Sequence, residues 1–160
     1  MKNIFTIGVY GLTNEEFFGK LIENHIDTFC DIRRRRGVRG SKYSFVNSKR
    51  LQAKLSELGI SYVHILDLSP TKEIREKQKE EDKRLKILKR ERTGLGDAFI
   101  KGFIDEHLNN FNPNDFYKMV GGNANNVVLF CVEKEHNACH RSLVSNFLKE
   151  NDATIQIVHL

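Results

Sequence analysis

Short apolar runs alternate along this chain with stretches whose apolar positions recur every three or four residues, a pattern that predicts strands interleaved with helices. Ile4 to Val9 is rich in β-branched residues and runs into Gly8 and Gly11, which predicts a buried first strand and a turn. Thr13-Asn14-Glu15-Glu16 supplies a helix cap with an acidic first turn, and Phe17, Phe18, Leu21 and Ile22 then form one apolar stripe. Ile26 to Ile32 predicts a second strand, so strand, helix and strand make a βαβ unit and imply a parallel sheet. Asn47 or Ser48 caps a second helix carrying Leu51, Leu55 and Leu58, which Gly59 ends in the left-handed conformation, and Ile60 to Leu66 is a third strand. Ala98 to Phe111 and Pro113 to Met119 carry further helical stripes. Gly121-Gly122-Asn123 turns into a strand at Val127–Cys131, Arg141 to Glu150 forms a last amphipathic helix, and Thr154 to Leu160 closes the chain as a strand. The expectation is a single α/β domain over 1–160, a three-layer α/β/α sandwich around a mostly parallel sheet of about five strands.

Thr71 to Arg92 departs from this rhythm: sixteen of its 22 residues are charged, and only Ile74, Leu85, Ile87 and Leu88 offer apolar surface for docking. Glu73/Lys77, Glu80/Arg84 and Asp82/Lys86 are acid-before-base pairs at i, i+4, so the segment predicts a projecting charged helix or a flap. It also carries most of the charge excess. The formal net charge is +5, and from Lys72 to Arg92 ten Lys or Arg stand against six Asp or Glu. A second basic concentration, Arg33-Arg34-Arg35-Arg36 with Arg39, directly follows a predicted strand, where attraction for phosphate is the expected consequence.

No apolar run approaches the roughly 18 residues of a spanning helix, so no membrane partner is expected and the predicted location is cytoplasmic. Three cysteines, Cys30, Cys131 and Cys139, are too few for a disulfide framework and fit a reducing compartment.

The candidate chemistry follows from the parallel sheet, whose strand carboxyl ends share one edge and should bring their polar residues together. Those residues are Gly8, Asp31 with Arg33, His64, Cys131 with Glu133, and His159. Cys131 opens a loop that returns through Cys139, His140, Arg141 and Ser142 into the last helix. Such a loop admits an anion cradle, in which free amides at the helix start, Arg141 and Ser142 face a ligand. A thiol in that field could serve as a nucleophile. Cys131, Glu133, His136, Cys139 and His140 are also metal-ligand types, although no Cys-x2-Cys spacing is present. The plain structural reading makes the thiols small core residues and Glu133–Arg141 a buried pair, with Arg33 the partner of Asp31.

Taken together, Thr6-Ile7-Gly8, Asp31-Ile32-Arg33, Gly59 to His64, Cys131-Val132-Glu133-Lys134, Cys139-His140-Arg141-Ser142 and Val158-His159 resemble the domain of unknown function 488 family across essentially the whole chain. The resemblance implies a shared site without implying a reaction or a cofactor. In the commoner family pattern the third strand runs into a leucine and paired glycines, whereas here it runs into Leu66-Asp67-Leu68-Ser69-Pro70.

The functional expectation is a domain binding a phosphate-bearing small molecule or nucleic acid. Gly8, Arg33, His64, His140, Arg141 and Ser142 are its ligand-binding candidates, and Asp31, Cys131, Glu133 and Cys139 its catalytic ones. Two alternatives stand beside it: a non-enzymatic nucleic-acid or protein-binding module using the basic helix 71–92 and the Arg33–Arg39 loop, with Lys83, Lys86, Lys89 and Arg90 in contact, and a Cys/His metal site.

Overall fold

β1 (Asn3–Ile7), β2 (Thr28–Asp31), β3 (Ser61–His64), β4 (Asn126–Phe130) and β5 (Gln156–His159) form one sheet in the order β3-β2-β4-β1-β5, with every neighbouring pair parallel. The computed structural model describes Met1, residues 3–88 and residues 91–160; Lys89 and Arg90, which fall within the predicted charged helix, lie outside the described residues, as does Lys2.

The strand order dictates which face each helix covers. From β1 to β2 to β3 the chain moves toward one edge, and from β3 to β4 to β5 it moves back. Crossovers of one hand then place the first helices on one face and the later ones on the other. Accordingly α1 (Asn14–Glu23) and α2 (Ser48–Glu57) share a core with Phe5, Ile7, Phe29, Val128 and Phe130. The opposite core joins Ile4, Cys30, Val127 and Leu129 to α3 (Lys72–Leu85), α4 (Asp97–Glu106), α5 (Pro113–Val120) and α6 (His140–Asn151). Residues adjacent in a strand point to opposite faces, so a strand buried on both faces is a continuous apolar run. This is the predicted three-layer sandwich around a parallel five-stranded sheet.

Local signals set several element ends. Thr13 caps α1 in a capping box with Glu16, and Gly59, at φ +70°, follows the end of α2 in the left-handed region. The charged segment differs from its sequence pattern. α3 covers Lys72–Leu85, ends at Lys86 in the left-handed conformation, and docks beside α4 through Ile74 and Gln78, both buried. Of its predicted acid-base partners, Arg84 bonds Glu81 instead of Glu80, Lys77 reaches Glu106, and Asp82 receives Gln78 and Arg92. Lys77 and Asp82 find charged partners outside the helix, Glu106 and Arg92, while Arg84 stays on the helix surface with Glu81.

Connections leave β1 and β4, adjacent in the centre of the sheet, in opposite directions. A crevice is therefore expected beyond their carboxyl ends, between the loop after β1 and the loop after β4.

Candidate functional site

β2 ends in Asp31, fully buried, whose carboxylate gathers four donors. The Arg33 backbone N–H and Nε reach Oδ1 at 3.1 and 2.9 Å, while Arg33 Nη2 and the Tyr62 hydroxyl reach Oδ2 at 2.8 and 3.0 Å. Arg33 also donates to the Val46 carbonyl and lies over the Phe130 ring at 4.5 Å, leaving its buried Nη1 without a hydrogen-bond partner. A guanidinium this desolvated is held by its carboxylate fork. Burial, and then the charge of Asp31, push the Tyr62 hydroxyl up to about 12, so Tyr62 stays a donor at neutral pH. His64 Nε2 lies 2.9 Å from the Arg33 carbonyl, which can only accept, so the imidazole donates and fixes the backbone that aims Arg33.

The Cys131–Arg141 loop is organised from within. Arg141, 1% exposed at the start of α6, donates through Nη1 to the Glu133 carbonyl and through Nη2 to the Lys134 carbonyl at 2.8 Å. Gly8 lies against that turn: a Cβ there would come 1.8 Å from the Glu133 carbonyl oxygen. The amides of Val9 and Tyr10 both reach the Val132 carbonyl, which sews the loop after β1 to the loop after β4. Ser142 Oγ donates to the Cys139 carbonyl at 2.9 Å. Gly8, Arg141 and Ser142 thus shape the loop, and Arg33 with His64 shapes its neighbour. The Glu133 side chain pairs with Arg92 at 3.6 Å rather than with Arg141, because Arg141 turns its donors onto backbone carbonyls.

Within this loop Cys131, Cys139 and His140 bring two sulfurs and a ring nitrogen within 4.8 Å of one another, all three residues buried. A hydrogen bond from the Cys139 thiol holds Cys131 well below the usual thiol range, with His140 and Arg141 adding to it against the effect of burial. Burial, and next the Cys131 sulfur, push Cys139 well above that range. Cys30 is fully buried in the core shared by α3 to α6, where desolvation raises its thiol, and it takes no part in this cluster.

Cys131, Glu133, Cys139 and His140 line a cleft of about 730 Å³, bounded on one side by Arg33 to Arg39 and on the other by α3. Eight Lys or Arg line it against three Asp or Glu, so its field is positive. Arg92 closes the far wall, bonding Asp82 of α3 at 2.8 Å and the Ala138 carbonyl at 3.1 Å. Tyr10 and Tyr43, with ring centroids 5.3 Å apart, stand at the same cleft. Arg34 donates to the Pro70 and Ser69 carbonyls, holding the segment that leads from β3 into α3. Arg92, Tyr10 and Tyr43 had no distinguishing signal in the sequence: the arginine sits inside a charge run, and the two tyrosines have no motif.

His159 ends β5 outside the cleft. Its Nδ1 meets the Thr6 hydroxyl at 2.8 Å and its ring stacks on His136 at 3.6 Å, 5° from parallel. Burial, then His136 and Arg141, lower its pKa below the ordinary 6.5. The folded chain therefore binds fewer protons here than the unfolded chain once pH falls to that value, and stability present above it is lost as pH drops toward the lowered folded value. Urea unfolding should show a midpoint that falls on acidification through pH 6.5, with a smaller fall in His159→Gln; an identical pH profile in the variant would remove His159 as a cause.

Comparison with curated proteins and with solved structures gives no match. Residues 13–148 match the model of the family described as "Domain of unknown function DUF488", a span running from the cap of α1 through most of α6 and including every residue of the cleft floor. This chain belongs to the DUF488 family.

Proposed function

We propose that the cleft binds a phosphate-bearing ligand, either a nucleotide or a segment of single-stranded nucleic acid. The observation that carries this reading is the cleft's cationic lining above a floor built from the start of α6. Exposed arginines stand on one rim and α3 side chains on the other, so an anion entering the cleft meets cations from both sides. Asp31 orients Arg33 toward the cleft, Glu133 is the carboxylate positioned to exchange a proton with a ligand, and Tyr10 with Tyr43 offers a ring face to a base.

The alternative, a non-enzymatic module on the basic helix and the Arg33–Arg39 loop, shares that loop with the cleft and differs in using the outer face of α3. Lys83 and Lys86 are exposed and do not line the cleft, whereas Arg75 and Lys79 of the same segment do. Fluorescence anisotropy with a labelled single-stranded oligonucleotide, repeated with a labelled ATP analogue, separates the two. Arg35→Ala and Arg75→Ala should each weaken binding about tenfold, the loss expected for a charge-assisted hydrogen bond. The salt slope for the oligonucleotide should fall by about 0.7 per phosphate contact removed. Binding lost in Lys83→Ala/Lys86→Ala but unchanged in the cleft variants would refute the cleft. Competition between the two probes tells whether one site serves both.

A further inference from the structure

We propose that Cys131, Cys139 and His140 hold a single divalent ion of the zinc class in tetrahedral geometry, with the fourth position open to the cleft. This inference does not depend on the ligand assigned to the cleft.

The distances suit such an ion. Zinc–sulfur and zinc–nitrogen bonds of about 2.3 and 2.05 Å at a tetrahedral angle separate a sulfur from a nitrogen ligand by about 3.6 Å, and two sulfurs by about 3.8 Å. Cys139 Sγ lies 3.7 Å from His140 Nδ1, and all three ligand atoms fall within 4.8 Å. The cluster can close on an ion with small side-chain shifts.

The imidazole is also set in the orientation that metal ligation requires. His140 Nε2 lies 2.9 Å from the Ile32 carbonyl, which accepts only, so Nε2 carries the hydrogen and the Nδ1 lone pair faces Cys139. A ligating histidine characteristically donates its other ring N–H to such a carbonyl. Here that acceptor comes from the end of β2, while both sulfurs come from the loop after β4, so the site ties two parts of the sheet edge together.

Ligand softness and charge point to the class of ion. Two thiolates and an imidazole select zinc-like ions over magnesium or calcium, which prefer oxygen. Two thiolates with one divalent cation sum to zero charge, so the occupied floor would not oppose an anion entering the arginine-lined cleft. Among the described residues no fourth Cys, His, Asp or Glu joins the cluster, and closed structural sites need four protein ligands. The three residues line the cleft, so the open position faces solvent that a ligand can displace.

The test uses the full chain, reduced and stripped of metal, titrated anaerobically with Co²⁺ and then with Zn²⁺ against a chromophoric chelator. Expected are one ion per chain, thiolate-to-cobalt charge-transfer absorption in the near ultraviolet, tetrahedral visible bands, and loss of both on adding Zn²⁺. Cys131→Ser and Cys139→Ser should abolish the charge-transfer band or shift it to the intensity of one thiolate, while Cys30→Ala, outside the cluster, should bind as the parent does. The parent measurement stands without any variant. Reduced parent protein that takes no Co²⁺ or Zn²⁺ from the chelator overturns the proposal, as does a band that survives unchanged in Cys139→Ser or disappears in Cys30→Ala.

Discussion

Asp31→Ala is expected to cost about 3–5 kcal/mol of folding stability, the scale for removing one partner of a buried ion pair. The carboxylate accepts from three groups of Arg33 and from Tyr62, and the Arg33 side chain is only 3% exposed. Without Asp31 the guanidinium keeps the Val46 carbonyl and the Phe130 ring, neither of which neutralises its charge, and Nη1 is already without a partner. The cost is therefore the uncompensated charge more than the lost hydrogen bonds. A double variant, Asp31→Ala with Arg33→Met, removes both charges and should recover a substantial part of the loss, since apolar replacements of buried pairs are often nearly neutral. Urea denaturation of the three proteins measures this directly. A double variant less stable than Asp31→Ala would mean that Arg33 contributes through packing rather than through its pairing.

Gly8→Ala should be nearly as damaging, for a steric reason. The added methyl would lie 1.8 Å from the Glu133 carbonyl oxygen and 3.2 Å from Arg141 Nη1, so backbone must move away from backbone. Moving it breaks the Arg141 donation to Glu133 and strains the two amides that reach Val132. Overpacking of this kind costs about 3 kcal/mol when the neighbour cannot yield, and a backbone carbonyl held by a buried arginine cannot yield easily. Gly19→Ala supplies the opposite sign: it sits in α1 with open space around it and should gain about 0.5–1 kcal/mol from helix propensity. Equal effects at the two glycines would show that the contact at Gly8 does not decide the loop's conformation.

Much of the architecture was legible from pattern because both faces of a parallel sheet must be buried. Runs such as Val127 to Phe130 read as strands, and stripes such as Phe17, Phe18 and Leu21 as helices. Gly59 and Thr13 announced helix ends through conformational and capping preferences that act locally. The pairing of Asp31 with Arg33 was visible for the same reason, two residues of opposite charge at a strand end.

What the sequence concealed depends on distance along the chain. Arg92 meets Glu133 across 41 positions, so the sequence offered Arg141 as the nearer partner, while Arg141 in fact clamps the backbone of its own loop. Charge density in residues 71–92 suggested a projecting helix; Ile74 was one of four apolar docking candidates, but Leu85, Ile87 and Leu88 stay exposed and the polar Gln78, which no apolar pattern marks, is the other buried residue that makes α3 a wall of the cleft. Strand order, which opens the crevice between β1 and β4, depends on crossovers that no local signal specifies.

The central claim, that the cationic cleft rather than the outer face of α3 receives a phosphate-bearing ligand, is tested most directly by titrating ¹⁵N-labelled protein with ATP and, separately, with a short single-stranded oligonucleotide while recording amide shifts. The account predicts changes concentrated at Tyr10, Arg35 to Arg39, Arg75 to Lys79 and Val132 to His140, with Lys83 and Lys86 unmoved. Shifts centred on Lys83 and Lys86, or none at the cleft with either probe, would contradict it.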